Sequence, residues 1–104
     1  MPDIDLVALK EHADAHARAV LAQDGEALTA DFAEQARPLM RLLGTALPRP
    51  VLAAEVTDVS QGTDGGLARI RYTGQDDVVD VLSTWALHDG RLRIVDAQPV
   101  GPAA

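Results

Sequence analysis

The sequence predicts an α+β domain in which three N-terminal helices pack on a curved, four-stranded antiparallel sheet. Apolar residues recur with a helical period as far as Leu47, and beyond Val51 this period falls to two. Glycine- and aspartate-rich turn sequences separate the apolar runs of the second half. The length of 104 residues suits one two-layer core, so we expect residues 1–104 to form a single domain.

Three helices are expected in the first half of the chain. The first runs from Ile4 to about Ala22, where apolar residues at steps of three and four form one stripe: Leu6, Leu9, Ala13, Ala17 and Val20. Asp24 then caps a short second helix, in which Leu28 and Phe32 are the buried anchors. The third begins near Pro38, because proline is tolerated in the first turn of a helix, and Pro48-Arg49-Pro50 ends it.

Four strands are expected near residues 51–60, 66–73, 78–88 and 91–98, each rich in Val, Ile, Leu and Thr. Asp89-Gly90 stands between two alternating runs and predicts a two-residue type I′ hairpin. The tail Pro99–Ala104 is expected to lie loosely outside the sheet.

The predicted turns also fix a register and therefore the two faces of the sheet. The hairpin pairs Trp85 with Ile94 and Ser83 with Asp96 on the face toward the helices, and the preceding loop pairs Arg71 with Asp80 on the outer face. A row of small or polar inner residues follows, consisting of Ala68, Ser83 and Asp96. A buried carboxylate needs a partner, so we expect water, a partner or a cavity there. The first strand leaves two inner sets open, Leu52, Ala54 and Val56 or Val51, Ala53 and Val59.

Composition excludes several classes of function. The chain has no cysteine, so disulfides and thiolate metal sites are excluded. Its net charge of −7 argues against nucleic-acid and membrane-surface partners. The acidic N-terminus does not resemble a signal peptide, and no run approaches the roughly 20 apolar residues of a membrane span, so a cytoplasmic protein is expected.

The segments Ser83–Val95, with Trp-x-x-x-Asp-Gly-Arg-x-x-Ile-Val, and Gln23–Phe32 resemble the NTF2-like superfamily, and its SnoaL-like members in particular. The resemblance implies a cone-shaped pocket between the sheet and the first helix, and frequent homodimers. The family includes ketosteroid isomerases, polyketide cyclases, dehydratases and epoxide hydrolases, together with members that bind ligands or proteins. This chain is shorter, with no room between Phe32 and Pro38 for the extra strand or hairpin that often lines the cone.

The expected pocket residues are His16, Tyr72, Ser83, Trp85 and Asp96. Asp96 or His16 is the candidate acid or base. Alternatively, Ser83 merely satisfies an Asp96 that reaches solvent, His16 is a half-buried structural histidine, and Tyr72 and Trp85 belong to the core. His12 and His16 have a spacing that can hold a metal, but with no cysteine and no HExxH pattern we expect a solvated or core-edge pair and no metal site.

The outer sheet face mixes arginines with apolar and small residues, a composition typical of an isologous dimer interface. Its expected interface residues are Arg69, Arg71, Leu82, Thr84, Arg93 and Val95; the alternative is a solvated face. We therefore expect a homodimeric module that binds a small apolar ligand or a protein partner, without a cofactor. The alternative is a small cofactor-free enzyme of the isomerase, cyclase or dehydratase type.

Overall fold

The computed structural model describes residues 4–100 and has the predicted α+β class. Three α-helices precede the sheet: α1 (Leu6–Ala22), α2 (Gly25–Asp31) and α3 (Leu39–Ala46), with a 3-10 turn at Glu34–Ala36. The strands are β1 (Ala53–Gln61), β2 (Gly66–Thr73), β3 (Val78–His88) and β4 (Arg91–Val100). They form one antiparallel meander in the order β1-β2-β3-β4.

Side-chain caps set where the first two helices begin. The Asp5 carboxylate accepts hydrogen bonds from the backbone N–H groups of Val7 and Ala8, so α1 begins at Leu6 rather than at Ile4. Gln23 ends α1 in a left-handed conformation with φ of 55°. Asp24 caps α2 by accepting from the N–H of Ala27, as predicted.

The core lies between the inner face of the sheet and the helices. The helix α1 packs across β1 and β2, and α3 lies against β4. Leu9, Ile70, Trp85 and Ile94 are essentially inaccessible to solvent. The predicted pairs of β2 with β3 are confirmed, with Ala68 opposite Ser83 on the inner face and Arg71 opposite Asp80 on the outer face.

The Asp89-Gly90 hairpin is confirmed as far as the Trp85–Ile94 pair. Asp89 and Gly90 have φ of 54° and 77°, the positive values of a type I′ turn. Beyond that pair a bulge at Val95 breaks the predicted register, so Ser83 pairs with Ala97 and Thr84 pairs with Asp96. The inserted residue turns everything after it to the opposite face. The predicted inner position of Asp96 is therefore wrong: Asp96 is exposed on the outer face, and Ala97, expected there, is buried on the inner one.

A second bulge, at Thr57, resolves the two alternatives for the first strand. Ala54 and Val56 pair with Tyr72 and Ile70 before the bulge, and Val59 pairs with Ala68 after it. Each alternative was therefore correct for one half of β1, because the inner face changes parity at the bulge.

The end of the chain differs from the prediction. Pro99 and Val100 belong to β4 and pair with Val81 and Asp80, so the loose tail does not begin at Pro99; residues 101–104 lie outside the described part. Within residues 4–100 no helix is long and apolar enough to cross a membrane.

Candidate functional site

A cavity of about 110 Å³ lies between α1, α3 and the inner face of the sheet. An apolar cavity of roughly 150 Å³ in another protein accommodates benzene, so this one suits a ligand of that order of size. It is smaller than the several hundred cubic ångströms typical of sites for drug-sized ligands and cofactors. Its lining is mainly aliphatic and aromatic: His16, Val20, Leu28, Phe32, Met40, Leu43, Gly44, Leu47, Ile70, Tyr72, Val81, Ser83, Ile94 and Ala97.

His16 lines the cavity from α1 and is held by a chain of hydrogen bonds that is buried at His16 and Asp31 and half-exposed at Arg91. Its Nδ1 lies 2.8 Å from Oδ2 of Asp31, and Oδ1 of Asp31 accepts a hydrogen bond of 2.6 Å from Arg91. The ring packs edge-on against Phe32 and Trp85, with centroid distances of 5.9 Å to each. We call this arrangement the His16–Asp31–Arg91 chain.

Asp31 and Arg91 were not among the predicted site residues. Asp31 follows Leu28 by three positions, so on a helix it shares the face that Leu28 and Phe32 bury; this spacing is the signal that could have identified it. Arg91 begins the edge strand β4 and reaches across to α2, where it also donates to the carbonyl oxygen of Ala30.

The second polar group at the cavity is the hydroxyl of Tyr72 on β2. Burial, and then the negative charge of Asp31, raise the pKa of Tyr72 well above its ordinary value, so the hydroxyl stays protonated. Neither this hydroxyl nor Nε2 of His16 has a hydrogen-bond partner among residues 4–100. No fully buried side-chain nitrogen or oxygen atom in that range lacks a partner, so both atoms border open space.

Ser83 and Trp85 satisfy each other. The Ser83 hydroxyl lines the cavity but accepts from Nε1 of Trp85 at 2.9 Å and donates to the carbonyl oxygen of Ala68 at 3.2 Å. Trp85 is fully buried and is not among the lining residues. The Ser83 hydroxyl and the Trp85 N–H are therefore both hydrogen-bonded within the protein, at the floor of the site.

The remaining predicted site residues lie elsewhere. Asp96 is exposed on the outer face and cannot act as an acid or base in this cavity, because the bulge at Val95 turns it away. His12 is half-buried, with its ring centroid 6.3 Å from that of Trp85. Within residues 4–100, no three histidine, cysteine or acidic side chains gather in a way that could hold a metal.

The cavity opens toward solvent beside α3. Met40 and Gly44 lie one turn apart on α3, and Leu47 follows as its C-cap; all three line the cavity. Gly44 is exposed, and a Cβ placed on it would meet no atom within 4 Å. A shallow surface groove that includes Val20, Gly44 and Leu47 adjoins this mouth.

By register all six predicted interface residues belong to the outer sheet face, and all are half-buried. The guanidinium of Arg93, however, reaches around to α2 and donates to the carbonyl oxygen of Ala30. Two of them, Arg69 and Arg71, cover Asp80, whose carboxylate lies 3.0 Å and 2.9 Å from their Nε atoms and is inaccessible to solvent. The hydrogen bond from Arg71 lowers the pKa of Asp80, which burial opposes and Arg69 reinforces; the net shift is downward.

Comparison of the chain with protein-family models, curated proteins and solved structures gives no match.

Proposed function

We propose that this protein binds a small, largely apolar molecule in the cavity between α1, α3 and the sheet. The observation that carries the proposal is the lining: aliphatic and aromatic side chains surround two polar atoms without partners, Nε2 of His16 and the hydroxyl of Tyr72. Apolar walls with a few convergent polar groups are typical of ligand sites. A binding role is favoured over a protein-interaction role because these two groups face a cavity rather than an open surface.

We also propose that the domain is NTF2-like. Support comes from three helices followed by an antiparallel meander, and from a cavity set between the sheet and the first helix. The segment between Phe32 and Pro38 is shorter than in members of the family that have an extra strand or hairpin there. In this chain Phe32 makes only an isolated parallel bridge with Ile94.

A homodimer through the outer sheet face is the third part of the proposal. Leu82, Thr84 and Val95 lie on this face among Arg69, Arg71 and Arg93, and all six are half-buried. Acidic residues Glu55, Asp58 and Asp96 are exposed nearby on the same sheet. A face that carries both charges and apolar side chains suits self-complementary pairing about a two-fold axis.

The binding proposal is tested with toluene and phenol as probes on Gly44→Phe and Ala97→Leu. These changes add side-chain volume at the mouth and at the floor of the cavity, respectively. We expect either probe to raise the melting temperature of the wild-type protein progressively as the logarithm of its concentration increases beyond the dissociation constant. Each variant should weaken probe binding at least tenfold, as measured by NMR titration.

Gly44→Ala is the matched control for the mouth, because its single methyl group meets no atom. It should bind both probes as the wild type does and should raise stability by up to about 1 kcal/mol, since alanine favours a helix over glycine. If neither probe binds the wild-type protein, or if both filled variants bind as well as it does, the binding proposal is wrong.

A second candidate function is proton transfer on a small carbonyl compound. The His16–Asp31 contact of 2.8 Å favours it, because a carboxylate orients the imidazole for use as a base. Nε2 would take a proton from the carbon beside the carbonyl while the Tyr72 hydroxyl hydrogen-bonds to the carbonyl oxygen. Wild-type protein should then accelerate deuterium incorporation into cyclopentanone in D₂O and His16→Gln should not; equal rates would remove this candidate.

A further inference from the structure

We propose that the ligand carries a hydroxyl group, which donates its proton to Nε2 of His16 and accepts a hydrogen bond from Tyr72. This inference rests on the proposed binding function and names the ligand class: a small apolar alcohol or phenol of about the size of benzene. Three steps lead to it, from the carboxylate outward to the cavity.

The first step is the state of Asp31. One of its oxygens lies 2.6 Å from the guanidinium of Arg91 and the other lies 2.8 Å from Nδ1 of His16. A guanidinium group can only donate hydrogen bonds. Its partner Asp31 is therefore an ionised carboxylate, which accepts hydrogen bonds through both oxygens. Arg91 also donates to the carbonyl oxygen of Ala30, which fixes its head group against α2.

The second step is the tautomer of His16. Because the carboxylate can only accept, Nδ1 must carry the hydrogen in that contact. With a neutral ring the three side chains carry no net charge, whereas an imidazolium would leave a positive charge beside an apolar cavity. Nε2 is then an unprotonated nitrogen, an acceptor that has no partner among residues 4–100 and borders open space.

The third step is the kind of ligand group that can pair with both Nε2 of His16 and the hydroxyl of Tyr72. The cavity presents one acceptor at His16 and one hydroxyl at Tyr72 that stays protonated, because burial and the charge of Asp31 raise the pKa of Tyr72. A ligand hydroxyl provides a donor and an acceptor on one atom, so it can satisfy both. An ether offers no donor, a carboxylate offers no donor to Nε2, and an ammonium offers no acceptor to Tyr72. Each of these analogues would leave a buried polar group without a hydrogen-bond partner, which weakens its binding.

The direct test measures the ring nitrogens of His16 by ¹⁵N NMR in the wild-type protein at neutral pH. We expect hydrogen on Nδ1 and an unprotonated Nε2 that shifts when phenol is added. Hydrogen on Nε2, or a doubly protonated ring, would overturn the inference without bearing on whether the cavity binds apolar molecules.

The binding test compares phenol with anisole and toluene, which keep the ring but lose the donor. Wild-type protein should bind phenol at least tenfold more tightly than either. His16→Phe, which keeps an aromatic ring, should lose this preference and still bind toluene, and His12→Phe on the same helix should retain it. Should His16→Phe not fold, the tautomer and the wild-type preference decide between the outcomes.

The outcomes separate the two proposals. If all three probes bind the wild-type protein equally well, the cavity is a binding site but the hydroxyl assignment is wrong. If none binds, the proposed function fails and this inference fails with it.

Discussion

Asp80 shows how this protein places a carboxylate on an otherwise open sheet face. Its side chain is inaccessible to solvent, yet the atoms that cover it are the guanidinium groups of Arg69 and Arg71. The pairing with Arg71 follows from the predicted loop between β2 and β3 and is confirmed by the register. The second arginine could not be inferred in this way, because it lies diagonally across the strands rather than opposite Asp80.

We predict that Asp80→Asn lowers the free energy of unfolding by about 1–2 kcal/mol at pH 7, since charged hydrogen bonds are lost. Folding lowers the pKa of Asp80, so its contribution is complete above the unfolded value of roughly 3.9 and is lost as pH falls through the folded value. Urea unfolding at several pH values should show the two proteins converging in acid. Asp76→Asn, in an exposed loop, is the control; an equal loss in that variant would contradict the account.

The candidate site contrasts with Asp80 at the residue scale. The positions of Tyr72 and Ser83 at the cavity could be inferred from the strand register, whereas His16 was expected there from the family resemblance. The Asp31–Arg91 contact could not, because it joins residues 60 positions apart through the packing of α2 beside β4, which no local pattern records.

At the scale of elements, the two bulges explain which parts of the sheet the sequence predicts. Strand limits and the hairpin follow from turn residues and alternation, so they agree closely with β2, β3 and the start of β4. A bulge leaves no turn signal, and the alternation simply changes parity at Thr57 and Val95. In β4 the sequence does hint at the bulge. Regular alternation would bury the charged Asp96 and expose its apolar neighbour Ala97.

The loop before β2 is the element in which replacing glycine by alanine should reduce stability most. Gly65 has φ of 153°, and a Cβ on it would lie 2.3 Å from the carbonyl oxygen of Trp85. We expect Gly65→Ala to destabilise the protein by about 2 kcal/mol or more. Gly90 also has positive φ but meets no atom, so Gly90→Ala should cost only about 1 kcal/mol. Thermal unfolding of both variants checks this order; equal losses would show that the close approach is unimportant.

At the scale of the whole molecule, the inner face of the sheet encloses the cavity, and the outer face is the one proposed to pair two copies. This division depends on a register in which Trp85, Ser83 and Ile94 face the helices, and all three are buried. The fold class could therefore be predicted, whereas the cavity volume could not, because it depends on how α3 lies over the sheet.

The proposed homodimer is tested by Leu82→Asp, which places a charge at the centre of the outer face. We expect the variant to sediment as a monomer under conditions in which the wild-type protein is a dimer, because pairing would remove the new carboxylate from water at the centre of the interface. Val7→Asp changes an exposed apolar residue of α1 in the same way and should leave the dimer intact. A monomeric wild-type protein, or a Leu82→Asp dimer, would refute the proposed interface.

The contact of Ala33 with β4, in which its N–H donates to the carbonyl oxygen of Ile94 at 2.9 Å, bears on how copies of the chain can join. It blocks part of one rim of the sheet, while the opposite rim is kinked at Thr57 and carries Glu55 and Asp58. Strand-to-strand addition needs a straight, unobstructed rim. If two copies pair face to face as proposed, their sheet rims should not extend that assembly into a fibril.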